Sequence, residues 1–253
     1  MNELFLIGIG TGNPDHVTQE ARKLLRQADL VLIPRKGSDK ADLADLRREI
    51  CAAILPGQGG PRIVEFDLPK RGDAAPYLAE VDAWHDAIAT AWVKAVRPFD
   101  SARKVALLIW GDPSLYDSSL RIAARLAPQP AIRVVPGITA LQALTAAHAI
   151  PVNEIGAPFV VTTGRQLRDN GWPQGADTAV FMLDGQCSFQ SLPGADYDIW
   201  WGAFLGMPQQ ILIHGRLAHV SERIVETRGK ARAEHGWIMD IYLLRRRQGQ
   251  GDR

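Results

Sequence analysis

The chain has 253 residues, 46% of them hydrophobic and 23% charged, with a formal net charge of +1 at pH 7, which suits a sizeable globular core in one large domain or two of about 125 residues. Balanced charge leaves no electrostatic footprint for nucleic acid or a membrane surface, and there is no run of 18 apolar residues to span a bilayer. Two isolated cysteines, Cys51 and Cys187, make no metal cluster and suggest a reducing compartment; with no basic n-region or cleavage site at the start, the expected location is the cytoplasm.

The first half alternates between two periodicities. Short apolar runs predict buried strands over 3–8, 30–34, 62–66, 104–110 and 132–135. Between them, apolar residues at helical spacing predict helices over 18–28, 39–55, 76–96 and 118–126. Thr18 is placed to cap the first of these, and Leu78, Val81, Ile88, Trp92 and Val96 form the expected core face of the third. Such alternation implies a mostly parallel sheet covered on both faces. The second half carries more strand per helix: strands are expected over 159–163, 178–183, 198–205, 210–214 and 237–244, and helices over 139–149, 186–192 and 217–228. That ratio predicts a mixed sheet. A seam at Val135-Pro136-Gly137 divides the chain into domains 1–137 and 138–253, and 249–253 reads as a tail.

Ligands of open α/β sheets bind at the carboxyl ends of strands, and three strand exits here carry unusual punctuation. The first is Gly8-Ile9-Gly10-Thr11-Gly12-Asn13-Pro14-Asp15. In a G-x-G-x-x-G dinucleotide site the last glycine lets the helix pack close, so that its N-terminus meets the pyrophosphate. Here the pattern is G-x-G-x-G, Asn13-Pro14-Asp15 intervenes before the helix, and Asp15 would repel phosphate. The second strand ends in Pro34-Arg35-Lys36 where a ribose-binding acid would stand, although basic residues suit a 2′-phosphate, so an NADP-dependent reductase stays open. The second exit is Gly111-Asp112-Pro113-Ser114-Leu115-Tyr116 and the third Pro136-Gly137-Ile138-Thr139-Ala140. Each alone fits an ordinary turn.

Their order and spacing, continued by Ile150-Pro151, Val180-Phe181-Met182 and Gly206 ahead of 211–215, resemble the tetrapyrrole (corrin/porphyrin) methyltransferases over nearly the whole chain. The resemblance implies the α/β tetrapyrrole methylase fold, two αβα domains with S-adenosyl-L-methionine held between them and S-adenosyl-L-homocysteine as product. Carried over by motif, the cofactor contacts would be Pro14, Trp110, Gly111, Asp112, Leu115, Thr139, Ala140, Met182 and Gly206, with Trp110 standing where many relatives have glycine. The form of 110–117, the segment 36–51 and the ending 235–240 are most like members that methylate C-1 of precorrin-5 and release its acetyl group as acetate. A polycarboxylate tetrapyrrole calls for basic partners: Arg35 and Lys36, which follow a strand exit, lead Lys40, Arg47, Arg48, Lys70, Arg71, Arg165 and Arg168. Loss of an acetyl group needs a base for water and a donor for the oxyanion. Asp15 is the first candidate, followed by Tyr116 and Asp117, then His16. The resemblance also implies a homodimer; Trp200-Trp201 lies in the core or at a subunit contact.

Overall fold

A computed structural model describes residues 1–35, 42–55, 57, 59–72 and 77–247. Lys36 and Lys40, among the expected substrate contacts, lie outside the described residues, as do the start of the helix expected from 39 and the tail. Contacts divide the chain into two compact units, Met1–Thr139 and Ala140–Arg253.

The first unit runs β1 (Glu3–Gly8), α1 (Gln19–Gln27), β2 (Leu30–Arg35), α2 (Asp42–Ile54), β3 (Arg62–Asp67), α3 (Tyr77–Val96), β4 (Lys104–Ile109), α4 (Ser119–Ala123) and β5 (Ala131–Val135). Its five-stranded sheet has the order β3-β2-β4-β1-β5, with every pair parallel. Alternate residues face opposite sides. Phe5 and Ile7 of β1 join Ala106 and Leu108 of β4 beneath α1 and α2, while Leu4, Leu6, Val105, Leu107 and Ile109 pack under α3 and α4. Strands buried on both faces must be apolar throughout, which is the pattern the sequence shows. From β1 the chain moves to one side of the sheet through α1; from its neighbour β4 it moves to the other side through α4. The connections leaving these adjacent strands diverge, which makes their carboxyl ends the topological switch point.

The second unit runs α5 (Ala140–His148), β6 (Phe159–Thr163), α6 (Gly164–Asn170), β7 (Thr178–Met182), β8 (Tyr197–Ala203), β9 (Ile211–Arg216), α7 (Leu217–His235) and β10 (Asp240–Arg246). Its sheet has the order β6-β7-β10-β8-β9. Only β6 and β7 pair in parallel; the other pairs are antiparallel, giving the mixed sheet expected. Leu141 and Leu144 of α5 cover one face through Val180, Ile241 and Leu243. Leu167 of α6 and Leu217, Ile224 and Ala231 of α7 cover the other through Phe181, Ile199, Trp201 and Leu244. Trp201 is fully buried, and Trp200 is partly buried, with the Arg245 guanidinium 5.2 Å above its ring. Both cysteines are buried, and burial pushes each thiol up to about 11. Among the described residues, no helix is long and apolar enough to cross a membrane.

Several expectations need correction. Leu78 is 78% exposed, because α3 makes its core contacts further along, through Trp84, Ile88 and Trp92. The helix expected over 118–126 is the short α4, followed by tight turns from Arg125 to Ile122 and from Leu126 to Ala123. The helix expected over 186–192 is a 3-10 turn, Ser188–Ser191, since the Asp184 carboxylate takes the N–H groups of Gln186 and Ser188. Beyond Arg228, α7 continues through Gly229 and stops at Gly236, which supplies the left-handed residue that ends a helix.

Candidate functional site

Three chain segments fuse at the switch point of the first unit. Ile9 N–H donates to the Ile109 carbonyl at 2.9 Å, and Gly10 and Gly111 then exchange backbone hydrogen bonds at 2.8 and 3.3 Å, an isolated antiparallel bridge beyond the parallel strands. Gly10 and Gly111 hold φ of 74° and 66°, the left-handed region that favours glycine. The exit of β5 completes the junction. A Cβ on Gly137 would lie 2.1 Å from the Gly111 carbonyl oxygen and 2.8 Å from the Gly8 carbonyl carbon, and a Cβ on Gly8 would lie 2.6 Å from the Gly137 nitrogen. The glycines let three backbones touch where side chains would hold them apart.

Asp112 locks this junction. One carboxylate oxygen accepts from the Ser114 N–H at 2.8 Å and from the Ser114 hydroxyl; the other accepts from Gly137 N–H at 2.9 Å. Burial pushes its carboxyl upward, but the hydrogen bonds from Ser114 and Gly137 outweigh that and hold it below the usual carboxylate range. Asp112 therefore braces one loop against another. Beside it, a Cβ on Gly111 would meet nothing within 4 Å, so the backbone there is open to close approach.

The first glycine loop leads into a 3-10 turn, Pro14–His16, held from behind by Arg22, which donates to the carbonyls of Pro14 and Val17. The N-terminus of α1 begins only at Gln19, where the Thr18 hydroxyl accepts from Ala21 N–H at 3.1 Å, as expected of that cap. No helix N-terminus abuts the glycines, so the pyrophosphate-binding geometry of a dinucleotide fold is missing here. Asp15 is exposed on the turn. Two buried polar atoms nearby have no hydrogen-bond partner: the hydroxyl of Thr11, a residue only 4% exposed, and Nδ1 of His16. Buried polar atoms are normally paired. Orphaned ones on a glycine loop at a switch point, next to open backbone at Gly111, fit a small polar ligand met largely by main chain. Thr11 gave no signal in the sequence, because a threonine between glycines looks like any turn residue.

Trp110 is half-buried against the α1–α2 side, and Leu115, also half-buried, closes a turn onto the Asp112 carbonyl at 3.2 Å. Tyr116 is 45% exposed with φ of 52°, and burial raises its phenol above the ordinary value. Thr139 directly precedes α5. Arg35 ends β2, but its guanidinium reaches Glu65 at 3.6 Å and Asp67 at 3.0 Å on β3, so its charge is matched within the sheet. In the second unit, Ala140 and Met182 pack on one apolar cluster with Leu205, the residue before Gly206, whose N–H is taken by Gln210. The structure thus gathers Gly8, Gly10, Gly111, Asp112 and Gly137 in one unit and Ala140, Met182 and Leu205 in the other.

Sequence reasoning missed the buried carboxylate at the exit of β7. Asp184 accepts from Ser188 N–H (2.6 Å), the Ser188 hydroxyl (2.7 Å), Tyr242 hydroxyl (2.7 Å) and Gln186 N–H (3.2 Å). Gly164 leaves room for it, since a Cβ there would sit 2.1 Å from the Asp184 carboxyl carbon. A second acid, the half-buried Asp240, accepts from Trp201 Nε1 at 3.0 Å and from Arg228 at 2.9 Å.

Comparison with known proteins places this geometry. The family model described as Tetrapyrrole (Corrin/Porphyrin) Methylases matches residues 3–221. The chain is 44% identical to precorrin-6A synthase [deacetylating] of Sinorhizobium sp over 97% of its own length and 96% of that protein's, and 29% identical to the precorrin-2 C(20)-methyltransferase of Sinorhizobium sp over 72% and 74%. Among solved structures, a cobalamin synthesis related protein (CobF) from Corynebacterium diphtheriae superposes with a TM-score of 0.80 at 37% identity, over 97% of this chain and 98% of that one. The fold is shared by the uroporphyrin-III C-methyltransferase of Thermus thermophilus complexed with S-adenyl homocysteine, at TM-score 0.60 and 21% identity over 96% of each chain. With its glycine junction at the switch point and a family match across most of its length, the chain belongs to the tetrapyrrole (corrin/porphyrin) methylases.

Proposed function

We propose that the protein is an S-adenosylmethionine-dependent C-methyltransferase that converts precorrin-5 to precorrin-6A in cobalamin biosynthesis, methylating C-1 and releasing acetate. The observation that carries this reading is end-to-end similarity, 44% over 97% of the chain, to a precorrin-6A synthase. The site suits it. A methyl donor bound as a sulfonium needs positioning more than chemical help, and it supplies the transferred methyl group. Open backbone at Gly111 and the unpartnered Thr11 hydroxyl offer such a ligand room and a hydrogen-bonding group, and no α-helix N-terminus abuts the glycines to favour a phosphate. By resemblance to the family, Pro14, Trp110, Gly111, Leu115 and Thr139 of the first unit and Ala140, Met182 and Gly206 of the second are the residues assigned to it, and Asp112 braces the first unit's loops through Ser114 and Gly137.

Deacetylation then asks for two protein groups. Asp15, exposed on its turn, takes a proton from water as the hydroxide adds to the acetyl carbonyl carbon. Tyr116, whose raised phenol stays protonated at neutral pH, donates to the oxyanion. The bond from C-1 to the acetyl carbon breaks, acetate leaves, and the electron pair left on C-1 forms the new bond to the methyl carbon. The reading includes a homodimer in the cytoplasm, for which sedimentation of the purified chain is the check.

The test is to incubate the protein with precorrin-5 and methyl-labelled S-adenosylmethionine and follow both products by mass spectrometry. One labelled methyl gained per acetate released is expected. Methylation with the acetyl group retained would assign a different reaction, and tight calorimetric binding of NADP with none of S-adenosylhomocysteine would remove the methyltransferase reading altogether.

A further inference from the structure

At one end of the second sheet, where β6 and β7 begin and β10 ends, lies an open pocket of about 370 Å³, a size that suits a small ligand. Every residue lining it belongs to the second unit. Asp177, on its rim, directly precedes β7, and Met182 closes that strand. The strand between them spans about 16 Å, so the pocket stands at the end of the sheet opposite the residues assigned to the methyl donor.

Two opposite charges line this pocket without meeting. Arg245 of β10 pairs in register with Thr178, so the next residues, Arg246 and Asp177, stand opposite each other, and Arg246 N–H donates to the Asp177 carbonyl at 2.8 Å. Side chains opposite each other across an antiparallel pair share a face, and opposite charges there attract. The neighbouring arginines do find carboxylates: Arg245 reaches Glu154 at 2.6 Å, and Arg247 reaches Asp198 at 2.9 Å. Arg246 and Asp177 are both exposed, yet neither side chain makes an ion pair or a hydrogen bond with any described residue.

Trp172 keeps them apart. The Arg246 guanidinium lies 5.1 Å above its ring. The ring is fixed, because its Nε1 donates to the Ala176 carbonyl at 2.8 Å and Tyr197 and Phe181 flank it at 4.7 and 6.0 Å. A cation on an indole face rivals an exposed ion pair in strength, so the contact holds the guanidinium off the carboxylate. Ala157, Pro158 and Pro173 add short apolar walls. Gly175, at φ of 80°, leaves space, since a Cβ there would meet nothing within 4 Å.

We propose that this pocket binds the zwitterionic head of an α-amino acid. Arg246 donates to the carboxylate, for which a planar guanidinium is the matched partner. Asp177 accepts from the ammonium, and the apolar walls cover a small side chain. Two kinds of molecule present this head: a free amino acid, and the amino-acid end of S-adenosylmethionine or S-adenosylhomocysteine. The site does not depend on the reaction proposed above.

The test titrates the whole protein calorimetrically with L-valine, and separately with isobutyrate and isobutylamine, which carry the anion or the cation alone. L-valine is expected to bind with a Kd below about 5 mM, and the two half-ligands at least about tenfold more weakly. Arg246→Gln and Asp177→Asn are each expected to weaken L-valine at least about tenfold. Their melting temperatures should stay within about 2 °C of wild type, because neither side chain holds the fold. No binding of L-valine to wild type at about 20 mM would overturn the proposal, as would binding retained in Arg246→Gln or matched by isobutyrate. S-adenosylhomocysteine separates the two sources. Two molecules per wild-type chain, falling to one in Arg246→Gln, support the site with the adenosylated molecule as its occupant; one in both proteins, beside the expected L-valine results, supports it with the free amino acid. If S-adenosylhomocysteine does not bind at all, the methyltransferase reading fails while the L-valine titrations still decide this site.

Discussion

Gly137→Ala tests the junction most directly. The added Cβ would sit 2.1 Å from the Gly111 carbonyl oxygen, against about 3.4 Å for ordinary contact, with Gly8 backbone atoms at 2.8 and 2.9 Å. Every obstacle is main chain, so no flexible side-chain tip can swing away, and the loops must part by about 1 Å. Parting them breaks the Gly137 N–H bond to Asp112 at 2.9 Å and strains the Gly10–Gly111 pair. Overpacking costs about 1–3 kcal/mol and each lost hydrogen bond about 1 kcal/mol more. The expected destabilisation is therefore about 2–4 kcal/mol, seen as a drop in melting temperature of about 10 °C. Affinity for S-adenosylhomocysteine, measured calorimetrically well below that melting point, should fall by about tenfold or more, because the ligand-facing backbone has moved. Gly229→Ala is the control. Its Cβ meets nothing within 4 Å on α7, and alanine is the better helix former by about 1 kcal/mol, so it should melt a few degrees higher. A Gly137→Ala protein that melts within about 2 °C of wild type and binds the ligand equally well would refute the close-packed junction.

Asp112→Asn should destabilise by about 1–2 kcal/mol, because an amide cannot accept from Ser114 and Gly137 on both sides at once. Since the folded-state carboxyl is held below its unfolded value near 3.9, wild type should keep its advantage in urea midpoints above about pH 5 and lose it as pH falls below about 4; a gap unchanged down to about pH 3 would contradict the bracing role. Thr11→Val removes a buried hydroxyl that has no partner in the free protein, so melting temperature should hold or rise slightly while affinity for S-adenosylhomocysteine or precorrin-5 weakens about five- to tenfold. Thr11 has no ligand role if both affinities stay at wild-type values. Arg35→Ala should cost less than about 1 kcal/mol, as expected for half-exposed ion pairs, and leave KM for precorrin-5 within about twofold, because Glu65 and Asp67 already match its charge; a tenfold rise would make Arg35 a partner of the substrate carboxylates after all.

Much of the fold was legible because parallel strands with both faces covered must be apolar at every position. β1, β2 and β4 stand out in the sequence for that reason, and their bounds fall within a residue or two of the expectation. What escaped was short structure made by hydrogen bonds from side chains to nearby backbone. The turn Pro14–His16 is capped by Asn13, which accepts from Asp15 N–H, and held by Arg22 of α1 on the carbonyls of Pro14 and Val17, and the turn after Asp184 is tight because a carboxylate occupies the N–H groups an α-helix would use. Neither grip has a local periodicity to betray it. The same holds for Leu78, whose helical spacing was correct but which stands on the first turn of α3, ahead of the contacts made by Trp84, Ile88 and Trp92.

The site divides along the same line. Glycines at 8, 10, 111 and 137 announce turns, since a backbone that must bend or crowd leaves few alternatives. Their mutual contact does not follow from any of the segments, because it depends on β1 lying between β4 and β5, a strand order that no stretch of sequence encodes. Asp15 and Asp112 show the consequence. Both are aspartates next to a proline in a glycine-led strand exit, so as sequence they have equal claims to chemistry. Once the strands are ordered, the exit of β5 brings the Gly137 N–H to Asp112 and commits that carboxylate to the scaffold, while Asp15 stays exposed on its turn. Which aspartate is committed to the scaffold and which stays exposed was therefore decided by which strand became the neighbour of β1, and the residue types alone could not have decided it.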